Sequence, residues 1–264
     1  MAGTWCTGAL PTLTSPGSYL ICATPRSGST LLCGLLRSTG VAGRPESYFR
    51  LPDESSWADR WGLARGHGGA YDYRDYVGAA VAAGSTDNGV FGARVMWGTM
   101  EEMVARLGVV YPDRAGADLE LLTAAFGRTH FVHLWRDGTV AQAVSWVRAE
   151  QTNYWQQGDT AAPGRDPYFD PEQIRSVVGT IDEHNAAWRD WFNRIGVRPY
   201  QVRYEALAAD MAGVTRGILN FLGLKLPRGR RIVPGHRRQA DGINEEWIAR
   251  YRGMGPASVS GPPG

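Results

Sequence analysis

An α/β fold, a single domain with a central, mostly parallel sheet flanked by helices, is what this sequence predicts, and three observations predict it. Short apolar runs alternate with stretches of helical periodicity along the chain. At 264 residues the chain is long enough for one large core, and no repeat or low-complexity linker divides it. The loops after the apolar runs carry Gly, Ser, Thr and Arg, where open parallel sheets hold their ligands.

Residues 1–17 read as a flexible leader, 18–252 as the domain, and the Gly-Pro-rich 253–264 as a flexible tail. Ser18–Ala23 (SYLICA) reads as a buried strand, and the leucines at 31, 32, 35 and 36 make Thr30–Thr39 a helix. Gly89–Trp97 is a second strand, with an acidic helix start at Glu101–Glu102. His130–Trp135 is a third, running into a helix from Thr139 to Trp155. Apolar residues at 174, 178, 181, 188, 192 and 195 define a helix from Pro171 to Ile195, and His184 and Asn185 interrupt its stripe. Tyr200–Tyr204 is a fourth strand, followed by helices at Glu205–Ala209 and Met211–Leu222.

A formal charge of +2 gives no electrostatic case for nucleic acid. No apolar stretch reaches the roughly 18 residues that span a bilayer, and the N-terminus does not read as a signal peptide. Lys225 is the only lysine, so an anion site here must be built from arginines and backbone N–H groups. Cys6, Cys22 and Cys33 fit no metal-ligand spacing; Cys22 and Cys33 read as reduced core thiols, which favours a cytoplasmic location.

Thr24-Pro25-Arg26-Ser27-Gly28-Ser29-Thr30 joins the first strand to the first helix. Gly28 permits close backbone approach, Ser27, Ser29 and Thr30 add hydroxyls, Arg26 adds a cation, and the helix N-terminus offers unpaired N–H groups. An ordinary capped βα turn is the plain alternative. A nucleotide triphosphatase or small-molecule kinase loop would need G-x-x-x-x-G-K-[ST], and the lysine and glycine spacing are absent. After the third strand, Arg136 and Ser145 are spaced to grip one phosphate from two sides, though Arg136-Asp137 also suits a capped helix start.

Together the loop and the Arg136…Ser145 pair resemble the sulfotransferases that use 3′-phosphoadenosine 5′-phosphosulfate (PAPS). Within them the chain is similar to the bacterial trehalose 2-sulfotransferase family, over Ala23–Phe49, Gly92–Trp97, Gln142–Trp155, Trp188–Phe192 and Arg238–Arg252. The resemblance implies a P-loop-like sulfotransferase fold, PAPS as donor with the desulfated nucleotide PAP as product, no required metal, and a homodimer. It assigns Arg26, Ser27, Gly28, Ser29 and Thr30 to the 5′ end of the donor and Arg136 and Ser145 to the 3′-phosphate. It assigns Arg238 and Gln239 to a loop closing over the nucleotide.

The acceptor side departs from the family. Its proposed catalytic glutamate falls on Ser47 in an ungapped match, with Glu46 one residue earlier, and an acidic sugar contact falls on Arg44. A one-residue shift would let Glu46 act as base, beside Arg26 as the group that stabilises developing charge. Arg44, Ser47, Arg94, Trp97, Gln151, Trp155 and His184 are the candidate acceptor contacts, suited to a carbohydrate or glycoconjugate hydroxyl and nearly as well to a phenolic natural product. A non-catalytic relative that binds PAP or PAPS stays open beside these.

Overall fold

The computed structural model describes residues 17–155, 166–235 and 242–254. Four strands, β1 (Ser18–Ala23), β2 (Phe91–Met96), β3 (Thr129–Trp135) and β4 (Tyr200–Arg203), form one parallel sheet in the order β2-β1-β3-β4. All four lie where the apolar runs predicted them.

Helices α1 (Ser29–Ser38), α2 (Leu51–Arg60), α3 (Tyr73–Gly84), α4 (Trp97–Val110) and α5 (Asp118–Phe126) precede or separate the first three strands. After β3 come α6 (Thr139–Thr152), α7 (Pro171–Arg194), α8 (Tyr204–Ala209), α9 (Met211–Phe221) and α10 (Gly242–Gly253). Helix α4 starts four residues before the expected acidic start, because Met96 ends β2 and is at once the residue preceding the helix. Helices α2, α3, α5 and α10 were not foreseen.

All six residues of β1 are buried, as a central strand covered on both faces requires. Leu20 and Cys22 face a core that includes Phe91, Phe131, Met100 and Trp188. Tyr19, Ile21 and Ala23 face the other core, with Leu32, Leu35 and Leu36 of α1 and Ile218 and Leu219 of α9. A third cluster joins α6, α7 and α10 through Val144, Val147, Ile174, Ile181 and Trp247. Cys22 and Cys33 are free and buried, and burial pushes the Cys33 thiol up to about 12. Among the described residues no helix is long and apolar enough to cross a membrane.

His133 is buried in β3, its Nδ1 3.1 Å from Gln201 Oε1 on β4. Burial pushes its imidazole down to about 4, against a weaker upward pull from the Gln201 hydrogen bond and with a small further downward push from Arg189. The unfolded chain takes up a proton near the ordinary imidazole value, and the folded chain does so only at about pH 4. Stability is therefore expected to fall as pH drops from about 6.5 to about 4, and His133→Gln to lose that share of the loss, measured by urea unfolding across the window.

Candidate active site

The strand order places a topological switch between β1 and β3: the chain leaves β1 toward β2 on one side, then returns to β3 on the other. The crevice outside such a switch is where open α/β sheets hold ligands. Two loops border it, Thr24–Gly28 after β1 and Arg136–Gly138 after β3, with Ala23 and Leu134 in register beneath them.

The first loop is a tight turn, with Ser27 N–H donating to the Thr24 carbonyl at 3.3 Å. Arg26 and Gly28 are both left-handed, at φ 61° and 94°. A Cβ on Gly28 would lie 2.4 Å from the Tyr204 ring, so the position needs glycine for both conformation and space. Gly28 precedes α1 and no side chain caps the helix, leaving its first N–H groups to a ligand. Ser27 Oγ is buried and, among the described residues, has no hydrogen-bond partner. An orphaned hydroxyl, an uncapped helix start and an adjacent arginine fit an anionic group well.

The second site meets the first through shared partners. Arg26 Nε donates to Ser145 Oγ at 2.9 Å, and Arg26 Nη1 donates to the Trp155 carbonyl. Arg136 lies 4.8 Å over the Tyr204 ring, the same ring that abuts Gly28. Gln142, fully buried in the second half-turn of α6, donates to Thr24 Oγ1 at 2.8 Å and to the Pro25 carbonyl at 2.6 Å. Trp188 Nε1 donates to the Ala23 carbonyl at 3.1 Å. Gln142, Tyr204 and Trp188 were not predicted as site residues. Tyr204 had one legible signal, its place at the carboxyl end of a strand.

On the α1 side, Arg94 of β2 donates to Ser47 Oγ at 2.9 Å and to Thr30 Oγ1 at 2.8 Å. Ser47 thus faces the loop. Glu46 does not: its carboxylate pairs with Arg37 in the last turn of α1, while its carbonyl accepts the Arg94 N–H. Arg44 is exposed and donates to the Ser85 carbonyl.

Trp97 packs edge-on against Trp188 with ring centroids 5.0 Å apart. Gln151 is committed to α7 and the segment before it, donating to Gln173 Oε1 and accepting from Tyr168 N–H. His184 lies on α7 one turn before Trp188. Arg238 and Gln239 lie outside the described residues. Among the described residues no cluster of His, Cys, Asp or Glu is arranged to hold a metal ion.

Gly28→Ala is expected to destabilise the protein by more than about 1 kcal/mol. A Tyr204→Ala background relieves the steric part and leaves the positive φ, so the double variant should recover stability in part, read by denaturant unfolding.

Comparison with known proteins shows the family. A model of the Stf0 sulphotransferase family matches residues 18–254. A trehalose 2-sulfotransferase of Mycolicibacterium smegmatis is 32% identical, over 90% of this chain and 95% of the relative. One from Mycobacterium tuberculosis is 27% identical with the same coverage. Among solved structures, the sulfotransferase domain of the Synechococcus PCC 7002 olefin synthase covers 95% of this chain and 93% of its own, at 19% identity and a TM-score of 0.41. With its family model running from the start of β1 to the end of α10, the chain belongs to the Stf0 sulphotransferase family.

Proposed function

We propose that this chain transfers a sulfuryl group from PAPS to a hydroxyl of a small carbohydrate or glycoconjugate. The observation that carries the reading is the convergence of Arg26, Ser145 and the orphaned Ser27 hydroxyl at the uncapped start of α1. The trehalose 2-sulfotransferases to which the chain is similar support a sugar as acceptor.

PAPS supplies an activated sulfuryl group on a phosphate leaving group. Ser27, Gly28, Ser29 and Thr30 hold its 5′ end through hydroxyls and the first N–H groups of α1. Arg136 and Ser145 hold the 3′-phosphate. Arg26 stabilises charge on the bridging and sulfuryl oxygens, exchanging its present bonds to Ser145 and Trp155 for that role. Arg94 orients Ser47 toward the acceptor. Glu46 enters the chemistry only by leaving Arg37. A reducing cytoplasmic location is supported by the buried free thiols of Cys22 and Cys33. Homodimer formation rests on the family resemblance.

Arg26→Ala is expected to lower turnover by about 10²–10³-fold with the fold intact, measured with sulfate-labelled PAPS across disaccharides, glycolipids and phenols. Near-normal turnover in that variant would remove Arg26 from the chemistry. Transfer confined to phenols would replace the sugar reading, and stabilisation by PAP with no transfer to any acceptor would mark a binding protein.

A further inference from the structure

Among the described residues, four buried polar atoms of the Thr24–Gly28 loop, its Gln142 clamp and α7 have no hydrogen-bond partner. Ser27 Oγ and Gln142 Oε1 belong to the loop and its clamp. The other two, His184 Nδ1 and Asn185 Oδ1, are consecutive on α7 and make no bond to the donor loop. Buried polar atoms in native proteins are nearly all paired, so two adjacent orphans on one helix face ask for a partner that arrives from outside.

The course of α7 says where they sit. Its first half packs on α6: Ile174, Val177 and Ile181 join Ala143, Val144 and Val147. Its second half packs on the sheet, where Trp191 and Phe192 meet Phe131, and Trp188 reaches the carbonyl of Ala23, the last residue of β1. His184 and Asn185 fall between Ile181 and Trp188 on the same face, at the point where α7 passes from the sheet to α6. That point lies one helical turn before Trp188, which reaches Ala23 at the start of the Thr24–Gly28 loop and packs on the ring of Trp97. The acidic alternative is elsewhere, since the Glu46 carboxylate is held by Arg37 at the far end of α1.

We propose that His184 is the base of the reaction, with Asn185 holding the acceptor beside it. This rests on the sulfuryl-transfer reading. With its proton on Nε2, the imidazole presents Nδ1 as an acceptor for the substrate hydroxyl. The hydroxyl oxygen forms the new bond to sulfur and gives its proton to Nδ1. The bond from sulfur to the bridging oxygen breaks, and its electron pair leaves on the 5′-phosphate of PAP. The imidazolium then returns the proton to water. Asn185 Oδ1 accepts from a second hydroxyl, a contact that a polyhydroxylated acceptor supplies and a simple phenol does not.

The test compares wild type with His184→Asn, His184→Ala, Asn185→Ala and Glu46→Gln, reading thermal stabilisation by PAP and transfer from labelled PAPS to trehalose, other disaccharides and phenols. All variants are expected to keep the PAP shift, which shows that the fold and donor site are intact. His184→Asn places an amide near the Nδ1 position without a base, and should lose about 10²–10⁴-fold in turnover. Added imidazole should restore part of the activity of His184→Ala, which a merely structural histidine would not show. Asn185→Ala should raise KM for sugars more than it lowers kcat, and Glu46→Gln should stay close to wild type. Near-normal turnover in His184→Asn, or loss in Glu46→Gln with none in the histidine variants, overturns the proposal. If PAP fails to stabilise wild type, the donor reading fails and this one with it. If PAP stabilises wild type and nothing is sulfated, the donor site stands and both acceptor roles are withdrawn.

Discussion

The site depends on how one turn is held. Arg26 occupies a left-handed conformation that costs a non-glycine residue on the order of 1 kcal/mol, and such a conformation persists only where its surroundings enforce it. Gln142 supplies two hydrogen bonds to Thr24 and Pro25, and Tyr204 closes the space beside Gly28. Arg26 is itself tied to Ser145 and Trp155. Three elements, α6, α7 and the start of α8, therefore shape a loop to which none of them is adjacent in sequence. A turn of this kind is prepared for an anion before the anion arrives.

The strands were legible because β1 and β3 run through the middle of the sheet and so read as nearly unbroken apolar runs. Helix α7 was legible for a different reason, its long one-sided stripe, although the buried position is Val177 rather than Val178. Helices α2 and α3 hid because their inward faces are largely aromatic and small: Trp57, Ala58, Tyr76, Val77 and Ala80 do not form the aliphatic rows that periodicity detects. Glu54 adds to the disguise, a fully buried carboxylate held by Arg106 and Tyr71.

The anion loop could be read as a composition at a strand end, which is local information. The clamps could not, because Gln142 and Trp188 act across more than a hundred residues of sequence. The acceptor side was hardest. Whether Glu46 or Ser47 faces the loop is decided by their side-chain partners, Arg37 for Glu46 and Arg94 for Ser47, which sequence spacing does not reveal. His184 was visible as an interruption of an apolar stripe, and the structure added that its Nδ1 has no partner among the described residues.

The Trp188–Ala23 hydrogen bond sets a further condition on how the protein works. It fastens α7, which carries His184 and Asn185, to the residue from which the anion loop springs. A ligand that stiffens one end of this strut lowers the cost of ordering the other. For the proposed donor and acceptor sites, thermodynamic reciprocity then requires the two occupants to help each other by the same factor.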